Sequence, residues 1–195
     1  MSKFLAALVV AAVPLTAAAA PESYTIDPLH SAVLFAIDHL GISTIHGRFD
    51  KFAGKFTIDR AAKSGNVELT IDTASVDTNE NDKGSRQRSR DEHLRSADFF
   101  IAAEFPKMTY KSTKVAFMGD TPSAVEGNLT LLGVTHPVAL TIERFKCNPA
   151  AGNAKERCGG VAVGKLKRSD FGMKRGVPNI GDEITLVLAF EGDKQ

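Results

Sequence analysis

The chain has 195 residues, of which 43% are hydrophobic and 24% are charged, a composition typical of a folded globular domain and not of a disordered chain. Its 24 basic residues nearly balance 23 acidic ones, so the basic surplus that nucleic-acid binding requires is absent. For the same reason an anionic membrane surface is not the expected partner. A chain of this length can bury a sizeable core without a structural metal.

The first twenty residues have the composition of a cleavable signal peptide. Lys3 supplies a positive charge, an apolar stretch runs from Phe4 to Leu15, and small residues follow as far as Ala20. The apolar stretch is shorter than the roughly 20 residues that a membrane-spanning helix needs. We therefore expect export to the periplasm with cleavage after Ala19 or Ala20, which leaves a single mature domain at 21–195. A buried N-terminal helix is the alternative.

From Tyr24 onward, hydrophobic residues mostly alternate with polar ones, which is the period typical of β-strands with two different faces. Turn residues separate the alternating stretches, for example Lys63 to Asn66 and Gly119 to Pro122. About eight short strands at this spacing predict an up-and-down barrel or a sandwich. The later strands are predicted at 109–117, 123–131, 138–145, 161–167 and 183–190.

Two features interrupt the strand pattern. The phase of the alternation changes at Asp50-Lys51, which predicts one extra residue in a β-bulge. The charged segment 77–103 favours a short helix at about 88–97. Because Phe99 and Phe100 follow this helix, we expect the segment to close one end of a barrel.

Two cysteines, Cys147 and Cys158, lie in the mature part of the chain. In an exported protein an even number of cysteines at short spacing predicts a disulfide bond. Closing so small a loop contributes about 3 kcal/mol in the chain-entropy account. Metal binding is the alternative, and the sequence around the two cysteines argues against it because no histidine lies between or near them.

A search for catalytic patterns finds only weak candidates. The five histidines show no metal-ligand spacing, and no G-x-S-x-G elbow accompanies any serine. His39 shares the strand phase of Phe35 and Ile37 and is expected to face inward, where a lone histidine is more commonly structural. The charged run at 83–95 is more typical of a solvated loop than of a phosphate site.

Short motifs, each unspecific alone, follow one another along the chain in a specific order. They resemble those of the YceI-like family of exported polyisoprenoid-binding proteins over about residues 24–191. The matching motifs are Tyr24-x-Ile26-Asp27-x-x-His30-Ser31, Phe35, His39-Leu40-Gly41, Gly47-x-Phe49, Arg90-Asp91-x-His93-Leu94, Asp98-Phe99-Phe100, Phe105-Pro106, Gly127-x-Leu129-Thr130-x-x-Gly133-x-Thr135-x-Pro137-Val138, Arg168-x-Asp170-Phe171-Gly172 and Ile180-Gly181-Asp182-Glu183.

The resemblance implies an all-β fold, namely a lipocalin-like, eight-stranded antiparallel β-barrel with a long internal apolar channel. Relatives are similar in holding an isoprenoid chain, such as a polyprenyl or quinone tail, or another long amphiphile such as a fatty acid or fatty amide. Some members look dimeric, so a homodimer is a further expectation. The family supplies no catalytic residues, and no cofactor or metal is expected. A barrel of eight strands is just wide enough to hold one small ligand.

The predicted ligand-binding residues fall into two groups, apolar side chains that face the barrel interior and polar side chains that could fix a head group at its mouth. For each apolar residue the alternative is a completely filled core. The apolar group is Val33, Phe35, Ile37, Phe49, Leu69, Phe99, Phe100, Phe117, Leu129 and Phe171. The polar group is His30, His39, Arg90, Asp91 and His93.

Three other functions remain open at this point. The first is a barrel enzyme that uses Asp91 and His93, which would need both side chains to converge with a third group in one polar pocket. The second is an outer-membrane barrel, whose strands present an apolar outer face to lipid. Charged residues at the predicted outward positions disfavour it: Glu68, Lys111, Glu126, Arg144 and Lys167. The third is a structural or signalling partner with a filled core.

Overall fold

The structure is a computed structural model that describes residues 20–152 and 154–195. Apart from Ala20, the predicted signal peptide lies outside the described residues. Within the described ranges the chain forms eleven β-strands and one α-helix, α1 (Arg90–Arg95). The strands are β1 (Glu22–Ile26), β2 (Ala32–His39), β3 (Ser43–Phe49), β4 (Phe52–Asp59), β5 (Ser64–Asp72), β6 (Val76–Asp77), β7 (Lys107–Met118), β8 (Thr121–Leu131), β9 (Val134–Asn148), β10 (Arg157–Lys167) and β11 (Ile180–Lys194).

Eight strands close into an antiparallel ring in the order β1, β4, β5, β7, β8, β9, β10 and β11. The ring closes because β1 pairs with the end of β11, where Tyr24 lies opposite Lys194. The earlier part of β11 pairs instead with β2, and β3 and β6 continue the sheet beyond it. This arrangement confirms the predicted all-β, eight-stranded antiparallel barrel.

The strand registers distinguish two ends of the barrel. The helix end carries α1, the β2–β3 hairpin turn at 40–42 and a 3-10 turn, Arg168–Phe171. Arg175, which follows this turn, lies 3.6 Å from Asp98, which follows α1. The disulfide end carries the turns at 60–63 and 119–120 and the described parts of the β9–β10 connection, 149–152 and 154–156.

At the disulfide end, Cys147 on β9 lies directly opposite Cys158 on β10. The two residues form a disulfide bond, as the sequence predicts. Stacked aromatic rings fill the interior nearby: Tyr24 and Phe56 have ring centroids 4.9 Å apart, and Phe190 meets Phe56 edge-on at 5.6 Å. These rings close the barrel at this end.

The predicted β-bulge at Asp50-Lys51 is wrong. β3 ends at Phe49 and β4 begins at Phe52, so the two residues connect separate strands. β3 pairs with β2 and β6, whereas β4 pairs with β1 and β5. The change of phase therefore marks the point at which the chain moves from one part of the sheet to another.

Helix α1 lies inside the predicted segment 88–97, and its start is fixed by a capping box. Ser89 Oγ accepts a hydrogen bond from the Glu92 backbone N–H at 3.1 Å, and Glu92 Oε2 accepts one from the Ser89 N–H at 2.8 Å. This reciprocal pairing satisfies two donors that a helix start otherwise leaves free. In the part of the chain that the structure describes, no helix has the length and apolar character needed to cross a membrane.

Candidate binding cavity

A cavity of about 470 Å³ occupies the barrel interior at the helix end. This volume falls in the range of small-molecule sites, roughly 300–1,000 Å³. Alternation along the strands builds its walls: on β9, for example, Val138 and Leu140 point inward and are buried, while Thr141 on the same strand is exposed. The lining is therefore apolar over most of its surface.

Most of the ligand-binding residues predicted from the sequence meet around this cavity. Phe35 and Phe49 have ring centroids 5.7 Å apart, and Phe100 meets Phe49 edge-on at 5.4 Å. The predicted residues that line the cavity are Val33, Phe35, Ile37, His39, Phe49, Leu69, Arg90, His93, Phe99, Phe100 and Leu129.

Four predicted residues do not line the cavity: His30, Asp91, Phe117 and Phe171. His30 is an exposed side chain whose Nδ1 lies 2.6 Å from Asp27 Oδ2. Phe117 packs against the core from a half-buried position near the end of β7. Phe171 is buried in the 3-10 turn.

Asp91 is fully buried and supports the loop that precedes α1. Its Oδ1 accepts hydrogen bonds from the Thr78 backbone N–H at 2.9 Å and from Thr78 Oγ1 at 2.6 Å. Its Oδ2 has no hydrogen-bond partner among the described residues. Asp91 therefore holds Thr78 in place and does not face the cavity.

Other residues that line the cavity were not in the predicted set. Several belong to β9 and β11, where the same period-two alternation could have identified them. For the lining residues in segment 78–93, the only sequence signal is the run of charged residues at 83–95. That run does not indicate which of its side chains face inward. The main ones are Glu80, Arg86, Arg88, Val138, Leu140, Arg168, Ile184, Leu186 and Leu188.

The polar side chains of the lining concentrate at one place, because seven of the ten come from segment 78–93. Arg86, which is exposed, pairs with Glu80, and Arg90 Nε donates to Thr78 Oγ1 at 2.7 Å. Arg88 is half-exposed beside them. The cavity thus reaches the protein surface at a cluster of arginine side chains, whereas its deeper walls are hydrophobic.

Asp98 connects the elements around this opening. Its Oδ2 lies 2.7 Å from Arg88 Nη2 and 2.7 Å from His93 Nε2, and its Oδ1 lies 3.6 Å from Arg175 Nη1. The hydrogen bond with His93, followed by that with Arg88, holds the pKa of the Asp98 carboxyl below its ordinary value of 3.8. An ionised Asp98 therefore joins α1 to the loop after β10.

Arg168 is the other cation of the lining, and it is only 2% exposed. Its guanidinium donates to three backbone carbonyls, those of Gly181 at 2.8 Å, Met173 at 2.9 Å and Ile180 at 3.1 Å. Burial lowers its pKa from the ordinary arginine value. These bonds fix the 168–181 loop that forms part of the cavity wall.

The geometry does not pair Asp91 with His93, because His93 contacts Asp98 and Asp91 faces Thr78. A cluster with metal-ligand side chains does occur in the described residues, formed by Cys147, Glu156 and Cys158. It lies at the disulfide end, away from the cavity, and its two sulfur atoms are bonded to each other. The arrangement around the cavity is suited to enclosing an apolar chain and contacting a polar group at one end.

Comparison with known proteins agrees with this architecture. The sequence profile of the YceI-like domain matches residues 24–192. The chain belongs to the YceI-like family. It is 38% identical to a UPF0312 protein of Pseudomonas paraeruginosa over all of both chains. It is also 39% identical to Protein YceI of Salmonella arizonae, over 92% of this chain and 91% of that protein.

Solved structures of similar proteins share the fold. BcnA of Burkholderia cenocepacia matches with a TM-score of 0.64 at 25% identity, over 85% of this chain and 98% of that one. A YceI protein of Campylobacter jejuni matches with a TM-score of 0.64 at 28% identity, over 81% and 90%. A polyisoprenoid binding domain of Saccharophagus degradans matches with a TM-score of 0.61 over 88% and 98%, and at 17% identity this likeness concerns the fold alone.

Proposed function

We propose that this protein binds a long-chain apolar lipid, a polyisoprenoid or isoprenoid-quinone tail, inside its barrel, and that it acts as a binding protein and not as an enzyme. The observation that carries the proposal is a cavity of about 470 Å³ with apolar walls and polar groups gathered at one opening. Such a cavity matches an amphiphile, whose tail would lie within the barrel and whose head would lie at the opening. The resemblance of the sequence motifs to those of the polyisoprenoid-binding YceI-like family, whose domain matches residues 24–192, supports the same ligand class.

Burial of the tail would supply most of the binding free energy. Each CH₂ group moved out of water contributes about 0.8 kcal/mol. Ten such groups would offset an association cost of several kcal/mol without a strong polar contact. Tight binding is therefore compatible with a site that has no sharp sequence motif.

The head group would lie against Arg86, Arg88, Arg90 and His93, the cationic and imidazole side chains at the opening. A fatty acid or a fatty amide is the alternative ligand, since the same walls suit any long chain. The two classes differ in the shape of the tail and in the polar group that would meet the arginines.

We also propose that the protein acts in the periplasm after removal of a signal peptide that ends at Ala19 or Ala20, on the composition of residues 1–20. N-terminal sequencing of protein from the periplasmic fraction tests this, and a mature chain that begins at Ala20 or Pro21 is the expected result. A chain recovered with Met1 in the cytoplasmic fraction would contradict it. Homodimer formation stays a prediction.

Organic extraction and mass spectrometry of protein purified from its native host test the lipid proposal. We expect a long-chain lipid in the extract and saturable uptake of prenyl chains or fatty amides by the delipidated protein. Val138→Phe, which adds bulk to the cavity wall, should weaken uptake. Thr141→Phe on the outward face of the same strand is the matched control and should bind normally. Empty protein that shows no saturable uptake would overturn the proposal.

An enzyme remains the competing function, and His93→Ala distinguishes it. His93 lines the cavity and contacts Asp98, so its loss should affect head-group contacts but not the apolar walls. We expect the variant to retain lipid uptake. A variant that binds lipid normally but loses a measured turnover would show that the protein is a catalyst.

A further inference from the structure

The barrel contains a second, smaller cavity of about 80 Å³ toward the disulfide end. Its walls are almost entirely apolar and include Val67, Val125, Phe145 and Ala162. We call it the lower cavity and the 470 Å³ cavity the upper cavity. Both are bordered by the same four side chains, which we call the waist: Val33, Leu69, Leu140 and Leu188.

From this division we infer that the waist sets the length of the tail that the protein accepts. The inference rests on the proposed lipid-binding function and specifies it further. A tail that enters past the arginines would extend through the upper cavity and stop at the waist. Parts of a longer tail would remain outside the barrel, in contact with water.

The position of the waist residues supports a barrier across the barrel. Val33 on β2 lies directly opposite Leu188 on the neighbouring β11, whereas Leu69 on β5 and Leu140 on β9 come from other parts of the sheet. Val33, Leu69 and Leu140 are each buried to more than nine-tenths, and Leu188 is half-buried and packs against the same core. Close-packed interior side chains change rotamer only when space is available beside them. We therefore expect these side chains to oppose the passage of a tail from the upper to the lower cavity.

Packed aromatic residues lie beyond the lower cavity at the disulfide end. Tyr24 is fully buried there, stacked on Phe56, and Phe145 and Phe190 lie 6.3 Å apart between centroids. A charged group outside them, in which Lys194 Nζ lies 2.6 Å from Glu22 Oε1, faces the solvent side. A tail that enters past the arginines would therefore reach the lower cavity across the waist.

A series of linear alcohols of increasing length tests the inference, with the dissociation constant measured for each. In the wild-type protein, affinity should rise about fourfold for each CH₂ group while the tail fills the upper cavity. Beyond one length the affinity should stop rising, because further groups are not buried. We call this length the break.

Leu188→Ala should open the waist and move the break to longer alcohols, with a further gain of about fourfold for each CH₂ group that enters the lower cavity. Leu131→Ala is the matched control, since Leu131 lines only the upper cavity. This variant should change the affinities but should not shift the break to the longer alcohols that would reach the lower cavity. Adding Ala162→Leu to Leu188→Ala refills the lower cavity and should return the break toward its wild-type length.

Leu69→Val is a milder opening of the waist and keeps the test decisive if Leu188→Ala does not fold. The inference is overturned if the wild-type affinity rises without a break, or if the break in the waist variants stays at the wild-type length. Failure of the proposed function looks different, because no alcohol of any length would then bind. If the alcohols bind but the break in the waist variants stays at the wild-type length, the inference about the waist is rejected and the proposed lipid-binding function is not.

Discussion

Phe35 and Gly47 illustrate how one residue contact shapes the cavity wall. The two lie directly opposite each other on β2 and β3, and the Phe35 ring covers Gly47. A Cβ atom at position 47 would lie only 2.2 Å from Phe35 Cζ. Gly47→Ala should therefore push the ring toward the cavity and lower the free energy of unfolding by about 1–3 kcal/mol, which is typical of overpacking. Urea denaturation measures this loss.

The double variant Gly47→Ala/Phe35→Leu is the control for this contact. Its loss should be smaller than the sum of the two single losses, because the smaller side chain leaves space for the new methyl group. Strictly additive losses would show that the ring does not oppose the methyl group.

Tyr110 provides a pH-dependent test of burial in the same wall. Its hydroxyl donates to the Val138 carbonyl at 3.0 Å, and burial raises its pKa from 10.0 to about 12. The stabilising contribution of the neutral phenol is complete below pH 10 and is lost as the pH rises from 10 toward 12. The chain has two tyrosines, and burial also raises the pKa of Tyr24.

We therefore expect the folded protein to develop no tyrosinate absorbance near pH 10, where the urea-unfolded chain titrates. Tyr110→Phe should be less sensitive to alkaline pH than the wild type. A folded protein in which one tyrosine titrates with a midpoint near 10 would contradict this prediction.

Sequence reasoning identified residues best where strand alternation was clear. Val33, Phe35 and Ile37 were placed correctly around the cavity because each second residue of a strand faces the same side. Alternation does not predict where residues outside strands point. Phe171 lies in a turn, so the strand pattern could not show whether it lines the cavity. The motif around His30 predicts a ligand contact, but its side chain contacts Asp27 locally and lies outside the cavity.

At the scale of elements, Asp98 joins the segment around α1 to the loop after β10. Because its pKa is depressed in the folded state, its contribution to stability is present above its ordinary value of 3.8 and is lost as the pH falls through the lower folded-state pKa. Asp98→Asn should be less stable than the wild type at neutral pH. The difference should shrink as the pH falls below 3.8.

Urea denaturation over an acid pH series measures this difference. Asp170→Asn, at an exposed carboxylate in the neighbouring turn, serves as the control and should show a smaller effect. A difference for Asp98→Asn that is independent of pH would indicate that the carboxylate charge does not stabilise the connection.

The disulfide bond acts on a different element, the β9–β10 hairpin. It closes a loop with a sequence separation of 11 residues, so its loss should lower the free energy of unfolding by about 3 kcal/mol. Cys147→Ser/Cys158→Ser is the variant to compare with the wild type by urea denaturation. Because the bond lies at the end of the barrel away from the opening, lipid uptake should persist under native conditions. Loss of uptake in a folded double variant would show that the hairpin also shapes the upper cavity.

Element boundaries show what period-two alternation leaves undetermined. It predicted most strands within a few residues, but it assigned Asp50-Lys51 to a bulge. Alternation reports which face of a strand is buried and not which strand pairs with it. The separation of β3 from β4 depends on pairing between residues distant in sequence, for example Phe49 with Val76 and Phe56 with Tyr24.

For the whole molecule, closure of the barrel produces a cavity that no single strand encodes. The resemblance to the YceI-like family predicted the ring of eight strands, and the family match over residues 24–192 agrees with it. The division into upper and lower cavities could not be predicted, because it depends on how far the side chains that border both cavities, among them Leu69, Leu140 and Leu188, extend into the interior. Strand alternation in a sequence predicts the direction of each side chain, but not the distance between side chains that face each other across the interior.

Ligand binding should stabilise the barrel as a whole, because residues of six of the eight ring strands line the upper cavity: β5, β7, β8, β9, β10 and β11. A ligand that binds only the folded state at 100 times its dissociation constant raises the free energy of unfolding by about 2.7 kcal/mol. We expect this increase for a saturating prenyl alcohol with the wild-type protein, and a much smaller one for Val138→Phe at the same concentration, measured by urea denaturation. Since Val138 lies inside the cavity and Thr141 outside it, Thr141→Phe should respond as the wild type does. Equal stabilisation of both phenylalanine variants would place the ligand on the outer surface, and the enclosed cavity would then not be the binding site.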